Sequence, residues 1–161
     1  YIPSLFEVTE FVIAEGINVN FELKCSPDMD YQTYVQAVAK VLSQFPSIYS
    51  NLMLSSFSLP LLTQLRQQFP EVNLGMILDI QDWTSFWSNQ GAVIQANYQR
   101  LQTSALVVNQ DILDPKVVFL LKSFADKLMA YTVNHLDHYQ RLMAWGMDGI
   151  YTDRMDIFIQ Q

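Results

Sequence analysis

The residues of this chain best placed for chemistry are Glu22 and Lys24, within Val19-Asn20-Phe21-Glu22-Leu23-Lys24. That stretch reads as a short strand. Alternate strand residues share a face, so Glu22 and Lys24 point one way and Phe21 and Leu23 the other. Two opposite charges on one face of an otherwise apolar strand are costly to bury unless that face opens onto a polar site. In α/β proteins the carboxyl end of a strand is where sites are built. The competing reading is an ordinary ion pair at a strand end.

Other candidates are weaker. His135, Asp137 and His138 fall within one helical turn, and His135 and His138 could share a face. No HExxH-type pattern accompanies them, so a solvated or capping role is favoured over metal ligation. Cys25 directly follows Lys24 and, without a Cys-His pattern, reads as a packed thiol. Asp79 and Asp111 follow strand ends, and nothing else marks them. Trp83, Trp87 and Trp145 have spacings that suit core packing, with nothing to support a lipid-facing role.

These residues need a scaffold, and the punctuation of the chain describes one. Ser4 and Glu7 have capping-box spacing before a helix that Gly16 stops. A helix over 30–43 takes Asp28 or Asp30 as its cap and ends before Pro46. A strand over 52–56 leads to a helix opened by Ser58 and Pro60. A strand over 72–79, a helix over 83–102 and a strand over 104–108 follow. Asp114-Pro115 opens the next helix, and 127–133 is a strand. Asn134 is read as the cap of a helix that stops at Trp145-Gly146, and 148–152 is the last strand. Six strands at intervals of βα length predict a parallel sheet in one domain over 1–161. A doubly wound open sheet is the alternative, but no GxGxxG or P-loop turn follows any strand.

Composition limits the function. The 161 residues are enough for one sizeable core. Half are apolar and only 16% are charged, so the surface is expected to be sparsely charged or partly covered by another surface. A net charge of −7 argues against nucleic-acid binding; it suits recruitment of a divalent cation, and an acidic balance is also the commonest way to stay soluble. A single cysteine excludes an internal disulfide. The longest uncharged run, 41–65, carries Pro46, Pro60 and many polar residues, so no transmembrane span is expected.

Five motifs occur in order: Ile2-Pro3-Ser4-Leu5, Phe21-Glu22-Leu23-Lys24, Ser55-Ser56-Phe57, Tyr131-Thr132-Val133-Asn134, and Gly146-Met147-Asp148-Gly149-Ile150-Tyr151-Thr152-Asp153-Arg154. Together they resemble the C-terminal two-thirds of a glycerophosphodiester phosphodiesterase, where the motifs read IPTLEEV, E-[IL]-K, SSF, WTVN and G-x-DGI-x-TDRP. Tyr131 stands where that family usually has Trp, and Met155 where it has Pro. The family's HRG and ENT motifs, E-x-D pair and second His motif precede the first of these stretches and have no counterpart here.

The resemblance implies an α/β fold, a TIM (β/α)8 barrel represented by its last six βα units, strands three to eight. It implies a metal-dependent hydrolase of glycerophosphodiesters, with a place in lipid and glycerol metabolism. Its cofactor would be a divalent metal ion, calcium or magnesium. Glu22 matches a metal carboxylate and Lys24 the phosphate-facing catalytic lysine. Tyr131 and Phe57 would line the substrate pocket, each with a packed aromatic as the competing reading. Asn134 and Asp153 read as helix caps or loop fixers. Both proton-transferring histidines belong to the front segment, so a longer protein is expected, and the 161 residues alone should be inactive. Two rivals remain: a phosphatidylinositol- or sphingomyelin-type phospholipase on a related barrel, and a barrel that binds without catalysis.

Overall fold

The computed structural model describes residues 1–26, 28–79 and 91–158. The expected strands and helices alternate along it. Hydrogen bonds join six strands in their order along the chain, β1-β2-β3-β4-β5-β6. The described residues group into two compact units, Tyr1–Gly75 and Met76–Gln161.

In the first unit, α1 (Leu5–Glu15) begins with a complete capping box. The Glu7 amide donates to Ser4 Oγ and the Ser4 amide to Glu7 Oε2. Hydrogen bonds from the Tyr1 hydroxyl, and then from Ser4, pull the Glu7 carboxyl down to about 2. Gly16 ends the helix with φ 63°, a conformation that favours glycine. Strand β1 (Val19–Glu22) pairs in parallel with β2 (Leu52–Ser56), setting Val19 opposite Leu52 and Glu22 opposite Ser55. Between them, α2 (Tyr31–Leu42) is capped by Asp30, which accepts from Gln32 and Thr33. Its buried residues Val35, Val38, Ala39 and Leu42 form one apolar stripe. A 3₁₀ turn, Pro46–Asn51, delivers the chain to β2.

Ser58 caps α3 (Leu59–Gln68) as its spacing predicts. Arg66 then closes the loop to β3 (Asn73–Leu78), donating to the carbonyls of Phe69, Pro70 and Val72 at 2.7 to 3.2 Å. Beside β2, a Cβ added at Gly75 would come within 3.0 Å of Ser55 Cβ and 3.2 Å of Met53 Sδ, so a larger residue would require those side chains to shift by a few tenths of an ångström. Leu42, Ile48, Leu54, Leu61 and Leu65 form the fully buried core of this unit.

In the second unit, α4 (Gly91–Arg100) precedes β4 (Ala105–Asn109). It is the described part of the helix expected over 83–102; Trp83 and Trp87 lie outside the described residues. Asp114 caps α5 (Pro115–Lys122), accepting from Lys116 and Val117 at 2.8 Å. Strand β5 (Leu128–Tyr131) pairs in parallel with β4 and with the short β6 (Gly149–Ile150). Single bonds extend the last pairing, from Tyr151 to Ala130 and from Val133 to Tyr151. Helix α6 (Leu136–Trp145) is preceded by His135 at the cap position, not by the expected Asn134. The Asn134 side chain is engaged elsewhere, as described below. Gly146 stops α6 with φ 100°, and α7 (Met155–Phe158) closes the described chain. Leu106, Val108, Leu121, Leu128 and Ala130 make the core.

Candidate functional site

Strand β1 ends at Glu22, so Lys24 lies two residues beyond the ladder and not within it. The backbone between them is still held. The Leu23 amide donates to the Ser55 carbonyl at 2.7 Å, and Ser56 Oγ donates to the Leu23 carbonyl at 2.8 Å. With the Leu23 side chain buried, Glu22 and Lys24 emerge together, as the strand alternation predicts. Lys24 Nζ stands 3.9 Å from Glu22 Oε1, with the two side chains 82% and 34% exposed.

That exposure corrects one premise. Apolar neighbours suggest that both charges are buried on a strand face and therefore need a reason to be there. They face water, and an ion pair this open and this long stabilises little. What the position does provide is a pair of opposite charges at the edge of a cleft of about 470 Å³. Cys25, Tyr31 and Phe57 also line it. Phe57 is 44% exposed, unlike a packed core aromatic. A second cleft of similar size, about 480 Å³, lies against Tyr49, Phe69 and Val72, which precede β2 and β3. It is at the opposite strand ends from Glu22 and Lys24.

Glu22 offers the hard carboxylate oxygen that calcium or magnesium takes. Among the described residues no group of three or more His, Cys, Asp or Glu could hold a metal ion. Glu22 thus fits as one ligand of a set that needs further donors.

In the second unit Tyr131 is the last residue of β5 and is half-buried. Its hydroxyl donates to the carbonyl of Leu78, the last residue of β3, at 2.9 Å. The carbonyl of the next residue, Thr132, accepts from Gln110 Nε2 at 2.6 Å. Gln110 Oε1 lies 3.1 Å from His138 Nδ1, so Gln110 bridges the Thr132 carbonyl and the His138 ring. His135 and His138 rings lie 5.5 Å apart, and Asp137 stands 4.0 Å from His138 Nε2. The trio sits at the start of α6, but His135 makes no side-chain cap bond and His138 is half-buried against Gln110, so neither the expected capping role nor a fully solvated one describes both histidines.

Asn134 ties the loops after β5 and β6 together. Its Oδ1 accepts from the Asp153 amide at 2.9 Å and from Thr152 Oγ1 at 3.1 Å, while Nδ2 donates to Asp153 Oδ2 at 3.2 Å. Of the two roles expected for Asn134 and Asp153, loop fixing is the one this geometry serves. Sequence reasoning singled out neither Ser56, beyond its place in a motif, nor Gln110. A serine followed by Phe-Ser-Leu-Pro at a strand-to-helix junction is a usable signal for the first. Nothing local marks the second, whose partners are 22 and 28 residues away.

The glycerophosphoryl diester phosphodiesterase family matches residues 1–157. A glycerophosphodiester phosphodiesterase of Caldanaerobacter subterraneus subsp. tengcongensis is 23% identical over 98% of the chain, and the chain spans 60% of that relative's length. Among solved structures, a phosphodiesterase of Oleispira antarctica, in complex with the product sn-glycerol-3-phosphate, superposes with a TM-score of 0.76 at 24% identity. That match covers 94% of this chain and 57% of the other. A glycerophosphodiester phosphodiesterase of Thermotoga maritima gives 0.74 at 22% identity, over 98% and 63%. With six parallel βα units, these likenesses give the fold as a partial TIM barrel.

Proposed function

The chain belongs to the glycerophosphoryl diester phosphodiesterase family, and from that premise we propose that it is the later part of an enzyme that hydrolyses glycerophosphodiesters to an alcohol and a glycerol phosphate. The observation that carries the reading is the cleft at the end of β1, where Glu22 and Lys24 stand side by side with Phe57 on the wall. The product held by the Oleispira antarctica phosphodiesterase supports the choice of substrate class.

In this reading Glu22 is one carboxylate ligand of a divalent cation, calcium or magnesium. When bound, such a cation would supply positive charge to offset the negative charge of the phosphodiester. Lys24 presents its ammonium to the same phosphate and stabilises the negative charge that grows there during attack. Phe57 is the substrate-lining residue proposed in the first unit, and Tyr131 the one proposed in the second. Because its hydroxyl is committed to Leu78, Tyr131 offers its ring more than a proton. The proton transfers fall to two histidines of a preceding segment, which also completes the barrel and brings further metal carboxylates. The 161 residues form one partial barrel domain and are inactive alone.

The test is an assay with glycerophosphocholine on the full-length protein and on the isolated chain, with and without chelator. Chelator-sensitive hydrolysis by the full-length protein only is expected. Hydrolysis by the isolated chain would sink the division of labour. Turnover of phosphatidylinositol or sphingomyelin in place of glycerophosphocholine would favour the phospholipase reading, and no turnover would favour a binding module.

A further inference from the structure

We propose that Ser56 is a positioning residue whose one buried hydroxyl sets Glu22, Lys24 and Phe57 in register with one another. The side chain is 1% exposed, yet it belongs to the wall of the cleft. Its hydroxyl makes two bonds in two directions. It donates to the Leu23 carbonyl at 2.8 Å and accepts from the Ser58 amide at 3.2 Å. Leu23 lies between Glu22 and Lys24, and Ser58 directly follows Phe57. A single oxygen therefore fixes the backbone beside all three side chains proposed to meet the substrate in this unit.

The local architecture explains why a side chain is needed there. β1 stops at Glu22 and β2 at Ser56, so the ladder ends where the site begins. The Leu23 amide is still served by the backbone, through the Ser55 carbonyl. The Leu23 carbonyl reaches Ser56 Oγ, and the Ser58 amide, at the cap of α3, reaches the same atom. Ser58 in turn uses its own hydroxyl on the Leu61 amide. The strand-end residues and the helix start are thus clipped together under the cleft floor. Alanine at 56 would leave a carbonyl and an amide without this partner and free the segment 22–24 to move relative to 57–58.

This inference rests on the phosphodiesterase reading of the cleft, and its test separates the two. Ser56→Ala and a control, Thr9→Val, are compared in the full-length protein. Thr9 is fully buried, and its hydroxyl serves the Leu5 carbonyl inside α1, away from the cleft. Both variants should lose thermal stability. Only Ser56→Ala should lower kcat/KM for glycerophosphocholine, by about tenfold or more, because a reacting group displaced by a full ångström can forfeit about a hundredfold in rate and a smaller displacement correspondingly less. Exchange of the Ser58 amide with deuterium should quicken by a similar factor, about tenfold, in Ser56→Ala alone. If Ser56→Ala fails to fold, Ser56→Cys, with a weaker donor in the same volume, carries the same comparison. Unchanged kcat/KM alongside faster Ser58 exchange would overturn the positioning role and leave the phosphodiesterase reading intact. Equal loss of kcat/KM in Thr9→Val would also overturn it. Absence of hydrolysis in the unsubstituted protein would overturn both.

Discussion

Asp148 lies inside the most strongly family-like stretch of the chain, Gly146 to Arg154, and a motif carboxylate invites a catalytic reading. The geometry predicts a structural one. Asp148 precedes β6, and its backbone amide donates to the Leu128 carbonyl at 2.9 Å. Its Oδ2 accepts the Leu128 amide at 2.6 Å in return, and Lys122 Nζ reaches both carboxylate oxygens at 2.7 and 2.8 Å. The carboxylate thus joins α5 to the starts of β5 and β6. Removing it in Asp148→Ala leaves the amide of the fully buried Leu128 without its acceptor, a loss of about 1–3 kcal/mol. The ion pair, with each side chain about a third exposed, adds no more than about 1 kcal/mol after screening. A total near 2 kcal/mol is expected. Asp148→Asn keeps an oxygen for Leu128 and loses only the ion pair, so it should cost about 1 kcal/mol or less.

Urea unfolding of the three proteins at pH 7 measures these differences, and the pH series supplies the sign. Partial burial works against the charged carboxyl, but the bonds from Lys122 and the Leu128 amide outweigh it and hold its pKa below the ordinary aspartate value. A carboxyl depressed on folding contributes stability that is complete above its unfolded pKa, about 4, and is lost as pH falls through the lower folded value. The gap between wild type and Asp148→Ala should therefore be constant from neutral pH down to about 4 and narrow below it. Asp148→Asn as damaging as Asp148→Ala, or a gap that narrows between pH 7 and 5, would refute the reasoning.

Three further predictions concern the site. Glu22→Gln should leave urea unfolding within about 0.5 kcal/mol of wild type, because the pair it breaks is open to solvent. If the full-length protein is the proposed enzyme, the same change should lower its kcat by about a hundredfold and weaken the proposed dependence on added cation; unaltered cation dependence would remove Glu22 from the proposed site. Lys24→Met should lower kcat/KM for glycerophosphocholine by at least about tenfold with no loss of stability, and an unchanged value would make the lysine a bystander. Tyr131→Phe should cost about 1 kcal/mol for the bond to Leu78 yet leave kcat within a few-fold, whereas a hundredfold loss of rate would show the hydroxyl at work in the reaction.

The alternation of strands and helices was legible because its signals are local. Ser4 with Glu7, Ser58 before Pro60 and Asp114 before Pro115 satisfy helix amides within three residues, so spacing alone announces them. Where the outcome depends on a distant partner, the same reasoning slips. Asn134 has an ideal cap composition, but Thr152 and Asp153, 18 and 19 residues on, hold its amide group instead. Strand β6 is two residues long although 148–152 reads as strand, because it is a short parallel partner whose pairing continues only as single bonds. Two 3₁₀ turns, Pro46–Asn51 and Gln110–Ile112, were not foreseen. Their spacing carries no apolar period to read.

Glu22 and Lys24 stand out in the sequence for a reason that the structure replaces. Alternation correctly put Glu22 and Lys24 on one side, but burial was then inferred from the apolar character of their neighbours. Leu23 is buried at 5% exposure while Lys24, next to it, stands at 82%. At a strand end one face can be core and the other open water, and composition averages over both. The exposure of the pair is the more telling observation. An ion pair in water barely stabilises itself, so it gives no reason to fix the backbone around it. Yet that backbone is fixed, by a buried serine that serves both the strand end and the next helix. Rigidity imposed beneath an exposed pair, and not the cost of burying the pair, is the feature on which the proposed site rests, because charges meeting a ligand need a set geometry.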